Sequence, residues 1–298
     1  MLSASQRLNA SGVRTACLLA TLAIASAAAD ADEAGPRVVV TLKPLYSLVA
    51  GVMEGVGAPV SIGGASPHGA ALKPSEARAL AAADVVFWTG TVLEAGHTRG
   101  IAAIAEDARL IALKDLPGAV LQGEGAIDGH MWLDPANARV LVEAAVAVLG
   151  ELDPARAAVY ARNGAGLAAR LDALDARLER RLDAVAGQPY VVMHDAYRYF
   201  ESRYGLAALG AIAVSPERPP GARRLAELRK RMDETGARCV FAEPGLAPAH
   251  ARTLAAETGA RLGRIDPLGA GLSPGPEAYF TLMERLADDL IACLAPPP

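Results

Sequence analysis

The chain has 298 residues, 52% of them apolar and 4% aromatic, with a formal net charge of −4. That much apolar material can fill a core and excludes an intrinsically disordered chain, and the mild acidity argues against nucleic acid as a partner, because phosphate binding needs a basic surface. Three cysteines are too few for a disulfide scaffold, and five histidines are few enough to weigh singly.

Residues 1–29 carry two charges, Arg7 and Arg14, followed by an apolar run over 16–29 that ends in Ala27-Ala28-Ala29 and meets Asp30, Asp32 and Glu33. A basic start, a short apolar stretch and a small-residue exit describe a cleaved secretory signal peptide; the alternative is an N-terminal membrane anchor, for which the run falls short of the ~20 residues that span a bilayer. Cys17 opens the apolar run and is expected to leave with the leader. The mature chain then loses both positive charges and stands at −6. Export leaves Cys239 and Cys293 as an even pair in an oxidising compartment, either disulfide-bonded across 54 residues or two buried thiols.

Beyond the leader, apolar runs at 38–41, 59–62, 84–88 and 109–113 read as strands, with helices over 45–56 and 75–82 between them. Ser75 is the expected N-cap of the second helix. Alternation of this kind predicts βα units around a mostly parallel sheet. Asp134-Pro135 and Asp153-Pro154 each read as a cap followed by proline at the first helical position. From 154 to 186 one long helical pattern follows, with Leu167, Leu171, Leu174, Leu178 and Leu182 at three- and four-residue steps, weakened locally by Gly164 and Gly166. Strand-like runs then resume at 190–193, 208–214, 238–242 and 261–265. They alternate with helices near 198–204, 221–235, 248–259 and 276–294. The expected fold class is α/β: two βα lobes, each with a mostly parallel sheet, joined by one long rigid helix. The boundaries are 1–29 for the signal peptide, 30–150 for the first lobe, 151–187 for the linking helix and 188–298 for the second lobe.

Four residues form the chemical constellation. His68 follows the second strand, His130 precedes a helix, His194 follows the 190–193 run, and Asp266 follows the 261–265 run. The edge beyond strand C-termini is where α/β sheets bind ligands. Two residues come from each half, so the site would lie between the lobes. Three imidazoles and a carboxylate suit tetrahedral zinc, whereas calcium and magnesium prefer all-oxygen shells. The spacings match no local zinc motif. His97 and His250 read as bystanders. Glu243 and Asp195 are candidates to orient a ligating imidazole through its second nitrogen, and Arg198 or Arg218 to balance charge.

The sequence resembles the zinc-specific receptors of bacterial ABC importers, the ZnuA-type proteins of the cluster A-I solute-binding family. The resemblance spans the mature chain. It is carried by Ser66-Pro67-His68 with Leu72-Lys73-Pro74-Ser75; by Gly129-His130-Met131-Trp132-Leu133-Asp134-Pro135; by His194-Asp195-Ala196-Tyr197-Arg198-Tyr199-Phe200; by Cys239-Val240-Phe241-Ala242-Glu243-Pro244; and by Asp266-Pro267-Leu268-Gly269. It implies two lobes joined by a rigid helix, metal histidines at His68, His130 and His194, and a disulfide between Cys239 and Cys293. Histidine at 194, where related manganese receptors typically carry a carboxylate, implies zinc as cargo. Two departures stand out. Residues 121–129 are short and hold no histidine, unlike the long His-rich loop of many relatives. Pro67 occupies the place where some relatives use a glutamate ligand, which leaves the fourth position to Asp266 or to water.

The resemblance implies a monomeric, non-enzymatic periplasmic receptor. It would capture Zn²⁺ and deliver it to an inner-membrane ABC permease, with a periplasmic zinc chaperone as a second candidate partner and no nucleic acid. The alternatives are a manganese or iron receptor of the same family and a His₃ zinc hydrolase, for which no His-Glu-x-x-His helix is present.

Overall fold

The computed structural model describes residues 35–62, 72–123, 126–213 and 220–295. The expected signal peptide with Cys17, the candidate ligand His68 and the candidate charge partner Arg218 lie outside these residues.

Among the described residues, eight strands form two all-parallel sheets. The first holds β1 (Val38–Val40), β2 (Val60–Ser61), β3 (Val85–Trp88) and β4 (Arg109–Ala112) in the order β2-β1-β3-β4. The second holds β5 (Pro189–His194), β6 (Ala207–Ala213), β7 (Cys239–Ala242) and β8 (Arg261–Arg264) in the order β6-β5-β7-β8. Each sheet reverses its winding once, between β1 and β3 and between β5 and β7. Such reversals open a crevice beyond the strand C-termini.

The central strands β1, β3, β5 and β7 are buried on both faces, as the inner strands of covered parallel sheets are. Successive side chains alternate between two clusters. Val38, Val40, Val85 and Phe87 face one core, while Val39, Val86 and Trp88 face another. In the second sheet Tyr190, Val192, Cys239 and Phe241 join the first core, and Val191, Met193 and Val240 pack under α7 (Ala222–Thr235) and α8 (Ala249–Thr258). The inner faces of both sheets therefore drain into one continuous apolar cluster. The described residues from 36 onward form one compact unit.

That cluster is filled by α1 (Lys43–Val52), α4 (Pro135–Leu152), α5 (Ala157–Leu182) and α9 (Ala278–Leu294). The smaller helices α2 (Pro74–Ala81), α3 (Ala95–Ile104) and α6 (Arg198–Tyr204) complete the layers. Helix α5 is the long connector. Its leucines at 167, 171, 174, 178 and 182 are all buried, as their spacing predicts. Single 3-10 turns at Pro154–Arg156 and Asp183–Val185 extend it at both ends. Its 26 α-helical residues run for about 39 Å at ~1.5 Å per residue. Ion pairs of Arg170 with Glu277 and of Arg177 with Glu284 fasten it to α9, and Arg170 also lies 4.0 Å above the Phe280 ring. Gly164 does more than weaken the helix: a Cβ there would stand 2.3 Å from Val146 Cγ2, so the missing side chain admits α4.

Two caps differ from expectation. Helix α2 begins at Pro74, and the Glu76 carboxylate, not the Ser75 hydroxyl, accepts a backbone N–H, that of Lys73, at 2.8 Å. Asp153 leaves the following helix start uncapped, because its Oδ2 is held at 2.9 Å by both the Tyr160 hydroxyl and Arg156. Asp134 caps α4 as expected, accepting the Ala136 N–H at 2.9 Å. The Cys239–Cys293 disulfide is formed, with Cα atoms 6.1 Å apart, and stitches β7 to α9. Among the described residues no helix is long and apolar enough to cross a membrane.

Candidate metal centre

His194 is the last residue of β5, at the winding reversal of the second sheet. His130 arrives from the first half, immediately before the 3-10 turn Met131–Leu133 that leads into Asp134 and α4. The two imidazoles meet in the interior, 6% and 3% exposed. Their Nε2 atoms are 3.5 Å apart and their rings meet edge to face.

Each Nδ1 is held by a carboxylate. Asp128 Oδ1 lies 2.7 Å from His130 Nδ1 and also accepts the His130 backbone N–H at 3.0 Å. Glu243, immediately beyond β7, places Oε2 2.5 Å from His194 Nδ1. A carboxylate accepts only, so a neutral ring at either position carries its proton on Nδ1 and has Nε2 as its acceptor nitrogen. That is the tautomer a metal requires. Zn–N bonds of about 2.0–2.1 Å at the tetrahedral angle separate two nitrogens by about 3.3 Å, close to the spacing here.

Surrounding tyrosines fix the carboxylates. Tyr197 donates to Glu243 Oε2 at 3.3 Å. Burial, reinforced by the charges of Glu243 and Asp266, holds its hydroxyl well above the usual phenol range, so it remains a donor. Tyr199 donates to the Asp128 carbonyl at 2.9 Å and accepts the Gln122 N–H at 3.0 Å, which pins the approach to His130. Burial raises its pKa also.

Asp266 lies two residues beyond β8, the neighbour of β7. Its Oδ1 accepts the amides of Leu268 and Gly269 at 2.9 Å each, and Oδ2 accepts that of Ala270 at 2.7 Å. Among the described residues no group of three or more His, Cys, Asp or Glu side chains is arranged to hold an ion. The structure thus brings His130 and His194 together and holds Asp266 in a loop of its own.

Of the proposed orienting groups, Glu243 contacts His194 Nδ1, whereas Asp195 turns outward to Arg198 at 3.0 Å. The sequence reading missed Asp128. Its signal was an acid two residues before a candidate ligand, close enough to fold back on the ring. His97 lies in α3, and His250 is half-buried in the first turn of α8.

Comparisons with known proteins identify the family. The family model described as "Zinc-uptake complex component A periplasmic", ZnuA, matches residues 38–293. A high-affinity zinc uptake system protein ZnuA of Brucella suis is 37% identical, covering 88% of this chain and 93% of its own. A ZnuA deletion mutant solved with zinc bound shares the fold at a TM-score of 0.78 and 22% identity, covering 89% of this chain and all of its own. The periplasmic zinc-binding protein TroA of Treponema pallidum does so at 0.79 and 20%, covering 88% and all of its own. With its family match running over nearly all of the two-lobed unit, the chain belongs to the zinc-uptake complex component A family.

Proposed function

We propose that this protein is a periplasmic receptor that captures Zn²⁺ between its lobes and delivers it to an inner-membrane ABC permease. The observation that carries the reading is the His130–His194 pair: two Nε2 atoms 3.5 Å apart, with both Nδ1 positions occupied by carboxylates. The names of its relatives, zinc uptake system proteins, support the same cargo. His68 and Asp266 are the proposed remaining ligands. His68 belongs to the Ser66-Pro67-His68 motif. Asp266 sits on the same edge as His194 and Glu243, and with three amides on its oxygens it keeps lone-pair capacity for a cation.

The chemistry is coordination without bond-making. The ion exchanges its water for imidazole nitrogen in a nearly dry site. Asp128 and Glu243 keep the rings turned and make them better donors by drawing on the Nδ1 protons. Both carboxylates are engaged by ring Nδ1 atoms, the role of groups that orient ligands. Nitrogen ligation also favours zinc over manganese. Export through a cleaved leader, lobes bounded at 30–150 and 188–298 with a 151–187 connector, and a monomeric state belong to the same reading. A zinc chaperone remains a candidate partner.

Titration of metal-free protein with Zn²⁺ against a competing chelator tests it. His130→Ala and His194→Ala each weaken binding at least tenfold, and equimolar Mn²⁺ does not displace zinc. Unchanged affinity in both variants, or a preference for Mn²⁺, overturns the reading. Ester hydrolysis well above that of free zinc would favour the hydrolase.

A further inference from the structure

Lys43 occupies the first turn of α1, just beyond β1, at the metal-side edge of the first sheet. A cation there opposes the helix dipole, so the position calls for another reason. That reason lies in the other lobe. The ammonium donates to the carbonyls of Gly269 at 2.8 Å, Ala270 at 3.0 Å and Leu272 at 3.0 Å. A lysine has three protons to give, and all three go to one loop.

This is the loop whose amides converge on Asp266. The Gly269–Ala270 peptide serves both partners: its C=O accepts from Lys43 and its N–H donates to Asp266 Oδ2. A trans peptide points these two groups in opposite directions. One peptide unit is therefore polarised between a cation of the first lobe and an anion of the second. The geometry needs a left-handed residue, and Gly269 supplies it with φ +65°; a Cβ there would also meet Leu272 Cδ1 at 2.8 Å. The segment 266–276 is fastened to the first lobe twice more. Trp132 Nε1 donates to the Pro267 carbonyl at 2.8 Å, and Ser47 Oγ donates to the Pro276 carbonyl at 2.9 Å. Trp132 is two residues from His130.

We propose that Lys43 is a positioning residue for the metal site: it holds the 266–272 loop to the first lobe and so fixes the Asp266 carboxylate relative to His130. Asp266 belongs to the second lobe by sequence but is carried by the first. Lobe separation at this corner would break the lysine cage. The proposal rests on the zinc-receptor reading for its functional meaning, while its structural core stands without metal.

The test uses full-length protein carrying Lys43→Gln, Asp266→Asn, or both. Zinc affinity is measured by chelator competition, zinc release by stopped flow, and amide hydrogen exchange at Gly269 and Ala270 in the metal-free state. Lys43→Gln weakens zinc about tenfold, the range found for groups that orient metal ligands, mainly through faster release. Because Lys43 acts through Asp266, the double variant loses no more than the worse single one. Exchange at Ala270 rises in Lys43→Gln without any metal. Lys43→Arg, which keeps charge and donors, recovers part of both losses and guards against a folding defect in the glutamine variant. Losses that multiply, or zinc binding unchanged by Lys43→Gln, overturn the positioning role. Unchanged exchange at Ala270 overturns the latch. If the wild-type chain binds no zinc, the receptor reading falls, and the exchange measurement still decides on the latch.

Discussion

In the proposed zinc site, removing the Glu243 carboxylate measures how much affinity comes from a group placed on a ring Nδ1. The 2.5 Å bond to His194 Nδ1, the width of an imidazole and a Zn–N bond of about 2.1 Å put the carboxylate roughly 6 Å from a bound ion. A −1 charge attracts a +2 charge at that distance by about 5 kcal/mol at an effective dielectric of 20, and by about 1.4 kcal/mol in water. Glu243 is 9% exposed, so the true value lies between these limits. Losing the hydrogen bond also frees the ring to turn and to take the other tautomer. Glu243→Gln keeps an acceptor but loses the charge, and is expected to weaken zinc about tenfold; Glu243→Ala loses both and is expected to weaken it nearer a hundredfold. Chelator competition on metal-free protein, with melting curves to establish folding, reads both numbers. Wild-type affinity in Glu243→Ala, in a folded protein, would refute the argument that the Nδ1 carboxylates prepare the ligands.

The companion carboxylate follows the same logic, and Asp128→Asn should lower zinc affinity by a similar factor in the same competition assay. Glu201 accepts from Tyr190 at 2.9 Å, and burial, aided by Asp195 and Asp128, pushes its pKa up to about 7. The folded state then holds a proton that the unfolded state releases near pH 4.5, so this contribution to stability is complete below that pH and is lost as pH rises to about 7. Melting temperature against pH should flatten over this window in Glu201→Gln, and an unchanged slope would exclude Glu201 as its source. Replacing Cys239 and Cys293 by alanine opens a 54-residue loop and should cost about 4 kcal/mol, read as a lower denaturant midpoint. Gly164→Ala should destabilise by about 1–3 kcal/mol despite alanine's better helix propensity, with Val146→Ala relieving the clash, and a more stable Gly164→Ala protein would contradict the close α4–α5 approach.

The strands were legible because a parallel strand buried on both faces reads as an unbroken apolar run, as Val38-Val39-Val40 and Val85-Val86-Phe87-Trp88 do. The long helix was legible because its leucines kept helical spacing beside a polar face. Helix α3 was not, since Gly96, Thr98 and Gly100 lower its propensity and tertiary packing decides. Among site residues, His130 and His194 stood out by their place beside strand and helix ends, and Glu243 by its position after a strand. Asp128 sits in a segment with no periodicity, and only the turn back onto His130 Nδ1 gives it a role. The two-sided loop between Lys43 and Asp266 was invisible for a deeper reason: it is made of backbone dipoles, which every sequence has, and only φ at Gly269 aims them.

The continuous apolar cluster beneath both sheets has a consequence for how this molecule comes apart. A cut through α5 would leave two fragments, each presenting half of that cluster to water, and neither would be a free-standing folding unit. The partly opened states available short of global unfolding therefore come from the periphery: the small outer clusters under α7 and α8 in one half and under α2 and α3 in the other. A receptor of this kind has few intermediate shapes to sample. On the proposed receptor role, the signal that a cation is aboard falls to the loops at the strand ends, which lie outside this shared core.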